Sequence, residues 1–488
     1  MSQLKKNFIY NALLTTSGFV LPFITFPYVT RVLAPEGIGQ VNFVNSFIQY
    51  FVIISSLGIP FYGVREIAKC RENLELRSKL LFELFILKLI FSFISLVIYL
   101  AIIFSVPRFY NYLSYYTFGI ALIVIGTLDF NYFFSGLENF KYITVRTVFF
   151  QVVSVILTFI FIQTRTDTLK YFLIPIFISL LTVIVNTRYI LKFVDVQALK
   201  KKLELKKHIK PLVLLFSIML FSSIYNLLDT TILGFITNDK YVGYYSAATK
   251  INKIPISLLM VLVPVMLPRV SNEFEKKNYI EIKRLVSKTI HFVILLGVPI
   301  TMGLLAISPE IISLFSGAEF TPSITTLRIL SPLAFIIGLT TNFSTQLLVP
   351  LGKDRQLLIS VVIGTVVSIL LNIILIPVLY QNGAAISNLA AEIVVLSTCY
   401  YFVSKFVEIY IPFKEIVLTF IACLPFWGIA FIVRCIFVSP LFILVITVLI
   451  SGCYYFAVQN IFLKNIMVTE LKSAVQRRFL ELLPIKSR

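Results

Sequence analysis

The chain has 488 residues, of which 58% are hydrophobic and 15% aromatic, while only 14% are charged. This balance excludes a soluble domain and predicts an all-α polytopic membrane protein. The formal net charge of +20 lies in short loops between apolar runs, so it indicates membrane topology and excludes a nucleic-acid partner.

Apolar runs long enough to cross a bilayer recur along the whole sequence. At roughly 20 residues per crossing, they predict about 14 transmembrane helices. We expect these helices near residues 8–31, 38–61, 80–104, 113–136, 143–163, 169–191, 211–236, 241–267, 286–307, 323–349, 357–380, 383–403, 413–433 and 440–463.

Basic residues are concentrated in every second loop. The rich loops include Arg65, the cluster 200–210 and Lys283, whereas the loops between them hold isolated cations such as Arg108 and Lys240. Because lysine and arginine are retained on the cytoplasmic side, we expect both termini to be cytoplasmic.

Four residues recur at a constant offset between the two halves of the chain. The matched pairs are Gly39 with Gly243, Pro60 with Pro264, Arg65 with Arg269, and Lys79 with Lys283. Each set frames an apolar span that leads into a basic segment, which indicates an internal duplication. Since each half contains an even number of crossings, the halves should be related by an axis along the membrane normal.

The most basic connection divides the chain after the sixth crossing. We therefore predict a six-helix N-lobe at 1–193, a basic cytoplasmic linker at 194–210 and a six-helix C-lobe at 211–404. Two further helices at 405–464 and a cytoplasmic tail at 465–488 stand outside the repeat.

Polar side chains inside the spans are the candidate binding residues, because an ionised group at mid-bilayer costs about 3 kcal/mol. The repeat aligns the neutral stripe Asn42, Asn45 and Gln49 with a stripe that contains Lys250 and Lys253. Two ammonium groups within one helical turn need water or anions nearby, which favours a hydrated cavity. Helix packing is the alternative for the neutral stripe, and snorkelling is the alternative for a lysine.

Four other cations extend this prediction, with Arg31 at the mouth of the cavity. The complete predicted substrate-binding set is Arg31, Asn42, Asn45, Gln49, Lys88, Arg146, Lys250, Lys253 and Arg328.

A second set of polar residues supplies oxygen atoms from three helices of the C-lobe. It consists of Asp229, Asn372, Asn388 and Glu392. A buried carboxylate must be paired, protonated or bound to a cation, so the set predicts a site for a sodium ion or a coupling proton. Pairing of Asp229 with Lys250 or Lys253 is an equally good interpretation. We expect no other metal and no cofactor.

Two motifs resemble a known family. The run PYVTRVLAPEGIGQ at 27–40 and the run FFSGLENF at 133–140 are similar to Wzx-type polysaccharide flippases of the multidrug/oligosaccharidyl-lipid/polysaccharide exporter superfamily. The resemblance covers nearly the whole chain and implies a MATE-like fold. It also implies a transporter rather than an enzyme.

This resemblance further implies the cargo, an undecaprenyl-pyrophosphate-linked oligosaccharide for O-antigen or capsule-type polysaccharides. Alternating access would move it from the cytoplasmic to the outer leaflet of the bacterial cytoplasmic membrane, with the lipid tail in a groove formed by the last two helices. Implied partners are membrane lipids and the polymerase and chain-length regulator of the same pathway.

Two other functions fit parts of the sequence. A MATE-type drug or cation antiporter shares the fold, but Lys250 and Lys253 disfavour a cationic cargo. A membrane-embedded polysaccharide polymerase or glycosyltransferase would present catalytic carboxylates or arginines in sizeable loops, whereas the predicted outward loops are short. The sequence has no phosphate-binding Gly-Lys-Ser/Thr motif, so we expect an ion gradient, the membrane potential or the substrate gradient to drive transport.

Overall fold

The computed structural model describes residues 3–195, 197 and 202–461, and every regular element in these ranges is helical. The α-helices, labelled α1 to α17 in chain order, are Gln3–Ser56, Ile59–Lys69, Leu74–Ser105, Leu113–Thr127, Asn131–Gly136, Phe140–Phe161, Thr168–Ile190, Lys206–Ile236, Asp239–Leu259, Val263–Glu275, Tyr279–Phe315, Ser323–Leu330, Leu333–Phe343, Asp354–Ser404, Phe413–Cys423, Pro425–Ile436 and Pro440–Ile461. The predicted all-α fold class is confirmed. The predicted tail at 465–488 lies outside the described residues.

Two long helices are broken by a single residue with non-helical backbone angles. Ala34 in α1 has φ 58° and ψ 177°, and Tyr380 in α14 has φ 50° and ψ −127°. Ala34 precedes Pro35, whose ring disfavours the helical conformation of the residue before it. Each break falls at a predicted junction between crossings, so α1 and α14 each provide two.

Ten stretches of the described residues are long and apolar enough to span a membrane. Counting α1 and α14 twice and adding the long helices α8 and α9 gives the predicted number of crossings. In α8 and α9 the apolar pattern is interrupted by polar residues such as Asp229, Lys250 and Lys253.

The surface of the helices has the polarity expected in a lipid solvent. On α3 the apolar residues Leu89, Phe93 and Val97 are exposed, whereas Ser92 and Ser95 are buried. This arrangement is the reverse of an amphipathic helix on a soluble protein, whose apolar face is buried. The chain is therefore a multi-pass membrane protein.

The described chain forms two compact units. The first comprises Met1–Ser246, Phe315–Glu319 and Ser368–Ala384, and the second comprises Ala247–Leu314, Phe320–Val367 and Ala385–Arg488. The unit boundaries fall inside α9 and α14 rather than in the basic linker. The division into lobes at 1–193 and 211–404 stays a prediction.

Within the first unit, a buried polar network ties the end of the linker to α2 and α3. Nε2 of His208 lies 2.8 Å from Glu83 Oε2, and the Tyr62 hydroxyl lies 2.7 Å from His208 Nδ1. Lys207 Nζ lies 3.2 Å from the same Glu83 oxygen. The start of α8 is therefore anchored by hydrogen bonds that a buried carboxylate requires.

Candidate substrate and ion sites

The second half of α1 and the start of α9 meet at two glycines that the repeat relates. A Cβ atom on Gly39 would lie 1.7 Å from the carbonyl oxygen of Asp239, and one on Gly243 would lie 2.0 Å from that of Pro35. Both obstacles are backbone atoms, so only glycine fits at either position without moving a helix. Pro35 lies four residues before Gly39, and Asp239 lies four residues before Gly243. Each glycine therefore meets the equivalent residue of the other segment, and this reciprocal contact is the kind that a twofold relation produces.

Polar contacts surround this glycine contact in the same compact unit. The Tyr112 hydroxyl donates to both carboxylate oxygens of Asp239, at 2.8 and 2.9 Å. Arg108 Nη2 donates to the carbonyl oxygens of Gly234 and Thr237 at 2.9 and 2.6 Å. Burial raises the pKa of Asp239, while the Tyr112 hydrogen bond and the charge of Arg108 oppose the increase.

Further contacts on this predicted outward side join segments that are distant in the sequence. Thr30 Oγ1 donates to the Phe315 carbonyl oxygen at 3.1 Å, and the rings of Tyr241 and Tyr380 stack with centroids 4.4 Å apart. Arg165 forms an ion pair with Glu319. These contacts, the glycine contact and the Tyr112–Asp239 hydrogen bonds are together called the outer contact set.

The neutral stripe lies on one half-buried face of α1. Asn42, Asn45 and Gln49 are partly accessible, and their amides bond within the helix, with Asn42 Nδ2 donating to the Ile38 carbonyl oxygen at 2.8 Å. Ser46, one position from this face, is buried and accepts a 3.1 Å hydrogen bond from Thr231 on α8. The accessible amides can therefore exchange their local bonds for bonds to a polar ligand.

Lys250 and Lys253 are exposed side chains near the middle of α9. They lie three residues apart, which places them on one helical face. Two exposed ammonium groups on a helix that must cross a membrane need water or an anion beside them. Both lie in the second compact unit.

The other predicted cations occupy separate places. Arg31 is exposed, and its Nη1 donates to the Pro27 carbonyl oxygen at 2.7 Å. Arg328 on α12 is half-buried, and its Nε donates to Ser308 on α11 at 2.9 Å.

Lys88 is only 2% exposed, and its ammonium binds backbone carbonyl oxygens rather than facing a cavity. Its ammonium donates to the carbonyl oxygens of Gly126 and Asp129 at 3.0 and 2.8 Å, and it lies 5.5 Å from the ring centroid of Tyr132. Gly126 lies in the last turn of α4 and Asp129 just beyond its end, so the lysine caps that helix as a cation at its negative end. The structure does not bring Lys88 to the neutral stripe.

Arg146 is also buried, at 7% exposure, on α6. Its guanidinium donates to the amide oxygens of Asn186 on α7 and Asn131 on α5. The ring of Tyr142 covers it at 5.3 Å. Like Lys88, it is held within the helices rather than on the neutral stripe.

The strongest assembly in the predicted ion site is around Asp229, which is 2% exposed on α8. Its Oδ2 accepts from the Tyr245 hydroxyl at 2.8 Å, and its Oδ1 accepts from Asn372 Nδ2 at 2.7 Å and Ser368 Oγ at 3.2 Å. Three helices therefore converge on one carboxylate, and the predicted pair Asp229 and Asn372 is brought together.

One acceptor in this cluster has no bond. Asn372 Oδ1 is buried and has no hydrogen-bond partner among the described residues. Carboxylate, amide and hydroxyl oxygens are the ligands that hard cations prefer. The cluster thus fits a small cation, and protonation of Asp229 would equally change its bonds. Asn388 and Glu392 are half-buried on α14 in the other compact unit.

An apolar cavity lies beside the two last membrane-spanning segments. It has a volume of about 290 Å³ and is lined by residues of α11, α16 and α17, including Pro299, Gly303, Phe426 and Gly452. Apart from the neighbouring residues and backbone of its own helix, no described atom lies within 4 Å of the place where a Cβ atom on Gly303 or Gly452 would stand. The glycines therefore leave open space along the cavity.

A bidentate ion pair holds α16 to α11. Arg434 Nε and Nη2 lie 2.7 and 2.8 Å from the two carboxylate oxygens of Glu310. The same Nη2 donates to the Ala306 carbonyl oxygen at 2.6 Å. This two-point geometry is the strong form of an arginine–carboxylate bond, and it fixes one wall of the apolar cavity.

Residues 4–274 match the family of polysaccharide biosynthesis proteins. The chain belongs to this family. This family member also matches the MatE family over residues 215–374. A candidate O-antigen transporter of Escherichia coli (strain K12) is 26% identical over 404 residues, covering 82% of this chain and 96% of the relative.

Solved structures have the same fold at low identity. The lipid II flippase MurJ in an inward closed conformation gives a TM-score of 0.67 at 16% identity, covering 94% of this polysaccharide biosynthesis protein and 100% of MurJ. A multidrug resistance MATE family transporter in an inward-facing conformation gives 0.64 at 16% identity, covering 79% and 95%. The predicted MATE-like fold is confirmed.

Sequence reasoning missed several polar residues of this family member that the fold brings together. Tyr245 and Ser368 complete the Asp229 cluster, and Tyr112 with Asp239 joins the outer contact set. Asp239 begins a helix, where an acid is ordinary, and serine and tyrosine are common in membrane helices. Of these residues, only Ser368 could have been predicted from the sequence, because it lies one helical turn before Asn372 and so on the same helical face.

Proposed function

We propose that this protein is a flippase for undecaprenyl-pyrophosphate-linked oligosaccharides. The observation that carries the proposal is the exposed pair Lys250 and Lys253 within a membrane-crossing helix. Two adjacent ammonium groups attract the pyrophosphate of such a cargo, which is esterified at both ends and therefore a compact dianion, through charge-assisted hydrogen bonds. Family membership and relatives named as transporters and flippases support a transporter rather than an enzyme.

The neutral stripe suits the sugar part of such a cargo. A buried hydroxyl without a partner costs a few kcal/mol, so an oligosaccharide crosses a bilayer unaided very slowly. Asn42, Asn45 and Gln49 expose amides that both donate and accept, and can replace water around hydroxyl groups. These residues would therefore lower the cost of moving the headgroup.

The apolar cavity beside α11, α16 and α17 suits the lipid tail. Its lining is almost entirely apolar, and Gly303 and Gly452 leave it unfilled. A polyprenyl chain needs only apolar contact, which this surface provides at no cost in unmet hydrogen bonds. In this proposal the tail rests there while the headgroup moves.

Alternating access is the proposed mechanism, and the composition of the outer contact set supports it. Its members are separable polar bonds, an aromatic stack and a backbone approach through Gly39 and Gly243 rather than a large interlocked apolar core. Such contacts break and re-form with small differences in free energy. Opening this set would release cargo on the outward side.

We further propose that Asp229 couples transport to a sodium ion or a proton. Its carboxylate, with Ser368 Oγ and the unpartnered Asn372 Oδ1, would hold the cation, which would supply local positive charge. Binding of the cation would reorient the Tyr245 and Asn372 donors and so change the hydrogen bonds between α8, α9 and α14. Asn388 and Glu392 are proposed members from the sequence alone.

The cellular setting follows from the same proposal. The protein would act in the bacterial cytoplasmic membrane with both termini in the cytoplasm, as the loop charges predict. It would pass its cargo to a polymerase and a chain-length regulator in O-antigen or capsule-type synthesis.

Export of a cationic drug is the second candidate, favoured by the MatE match and the buried Asp229. The exposed lysine pair opposes it because like charges repel. A polymerase or glycosyltransferase receives no support from the relatives.

Reconstitution into liposomes tests the proposal. Wild-type protein should expose the headgroup of an undecaprenyl-pyrophosphate oligosaccharide to an external glycan-modifying enzyme faster than empty liposomes do. A sodium or pH gradient should change the rate. Movement of a cationic dye without any movement of the oligosaccharide would favour the antiporter, and movement of neither by folded protein would overturn the flippase proposal.

A further inference from the structure

A polar opening that the proposed function does not use lies on the sides of α6 and α7. This lateral groove has a volume of about 580 Å³ and is lined by Lys141, Tyr142, Val145, Arg146, Phe149 and Tyr189, among others. All of these residues belong to the first compact unit.

The lateral groove faces lipid. Val145 and Phe149, one turn apart on α6, are 58% and 62% exposed, and Val152 and Ile156 continue the same exposed stripe. Exposed apolar side chains at helical spacing on a membrane-spanning helix contact acyl chains. An occupant must therefore be compatible with a hydrocarbon surface along one side.

The inner end of the groove is cationic and incompletely hydrogen-bonded. Arg146 donates to the neutral oxygens of Asn186, Asn131 and Thr147, and its Nε is buried with no hydrogen-bond partner in the described ranges. Nδ2 of Asn186, a fully buried residue, likewise donates to no described atom.

The position of the groove along the membrane normal suits a lipid headgroup. α6 begins at Phe140, so Arg146 lies about 9 Å along the helix at 1.5 Å per residue. Lys141 is exposed at the end predicted to be cytoplasmic, and Lys192 lies 5.6 Å from the Tyr189 ring. Basic pockets between helices on this side are typical sites for anionic headgroups.

We propose that the lateral groove binds an anionic phospholipid of the cytoplasmic leaflet. The phosphate lies between Lys141 and the Arg146 guanidinium, both of which line the groove, while the stacked rings of Tyr142 and Tyr189, 4.0 Å apart, form one wall. The acyl chains follow Val145 and Phe149. Phospholipid is chosen over lipid-linked oligosaccharide because the lining beyond the cations is mainly aromatic and aliphatic.

Binding is tested on the full chain by native mass spectrometry after extraction with phosphatidylglycerol or phosphatidylcholine. Val145→Trp fills the groove from an exposed position, so it should leave folding intact, and Lys141→Gln removes an exposed charge. Each should reduce the retained phosphatidylglycerol at least fivefold, and Arg146→Gln should do so if it folds. Arg284→Gln, which removes an exposed cation paired with Glu281 elsewhere, is the matched control and should retain wild-type binding.

Three results would overturn this assignment. The first is equal retention of phosphatidylcholine by the wild type. The second is undiminished phosphatidylglycerol in both Val145→Trp and Lys141→Gln. The third is displacement of phosphatidylglycerol by stoichiometric undecaprenyl-pyrophosphate oligosaccharide, which would assign the groove to the cargo. None of these depends on whether the protein flips oligosaccharides.

Discussion

The side-chain amide of Asn372 donates a 2.7 Å hydrogen bond to the carboxylate of Asp229, although 143 positions separate them in the chain. The bond joins α8 to α14 within one compact unit. Ser368 and Tyr245 add donors to the same carboxylate. A change in the charge of Asp229 therefore alters bonds on three helices at once, which is the property that a coupling residue needs.

Asp229→Asn should abolish the response of transport to a sodium or pH gradient, because an amide neither ionises nor attracts a cation. The gradient-driven increase in liposome flipping should fall at least tenfold. Ser368→Ala should give a smaller loss. Thr365→Val on the same helix is the control, since Thr365 Oγ1 bonds to its own helix at Val361. A full gradient response in Asp229→Asn would exclude this residue from coupling.

Lys253→Glu should block transport by replacing attraction to pyrophosphate with repulsion. Surface-polymer complementation should fall more than tenfold at unchanged protein level, and Lys253→Arg should retain most of it because the positive charge remains. Lys276→Glu reverses an exposed charge elsewhere, on the α10–α11 connection, and should behave as wild type. Normal polymer from a well-expressed Lys253→Glu protein would contradict the cationic-stripe hypothesis.

Lys88→Met should destabilise the protein rather than slow transport per folded molecule. Removing the ammonium takes its hydrogen bond from the Asp129 carbonyl and leaves the Gly126 carbonyl with the 3.3 Å bond from the Asp129 N–H, which costs about 1–3 kcal/mol. Thermal unfolding in detergent measures the loss, and flipping per folded molecule measures function. Leu89→Ala, at an exposed neighbouring position, is the stability control. Full stability with lost flipping would instead restore Lys88 to the substrate-binding set.

Gly39→Ala and Gly243→Ala should each open the outer contact set. The new methyl group meets a backbone carbonyl, and overpacking of this kind costs about 1–3 kcal/mol. The reporter is Ser316→Cys in a background without native cysteines, because Ser316 is 1% exposed in the segment that Thr30 contacts. An impermeant thiol reagent added outside should label it several-fold faster in both glycine variants.

Gly18→Ala is the matched control on the same helix, since open space surrounds the position of its Cβ atom. Its labelling rate should equal that of the reporter alone. If either repeat-related glycine tolerates alanine with unchanged labelling, the close approach does not hold the outer contacts together.

Asp239 should make stability depend on pH in the direction set by its raised pKa. The folded protein binds this proton more tightly than the unfolded chain does. The contribution of Asp239 to the free energy of unfolding therefore falls as pH rises from the ordinary aspartate pKa of 3.8 through the raised pKa. Asp239→Asn removes that slope. Thermal unfolding across this window should show a flatter profile for the variant, and an unchanged profile would show that Asp239 does not titrate there.

Some of these sites were predictable from the sequence and some were not. Ionisable residues in apolar runs are conspicuous, so Asp229 and Lys88 were both recognised as unusual. The partners of Asp229 include another conspicuous residue, Asn372, and that pairing was predicted. The partners of Lys88 are backbone carbonyls, which every residue carries, so no sequence pattern distinguishes a helix-capping lysine from one that binds cargo.

The fold class was predictable for a similar reason. The length of a membrane-spanning helix and the charge of its loops are set by the thickness and polarity of the bilayer, and both can be read from a single sequence. The break before Pro35 follows from proline chemistry. The use of Tyr245 as a donor to Asp229 depends on how α8 and α9 rotate against each other, and that rotation is decided by packing.

The reciprocal contact of Gly39 and Gly243 carries a consequence for substitution at either position. The backbone beside one glycine occupies the space that a side chain on the other would need. Because both obstacles are carbonyl groups, no change of side-chain rotamer can relieve a larger residue at either site. Only a displacement of α1 against α9 can, so these two positions report on the spacing of the two helices more directly than any side-chain pair does.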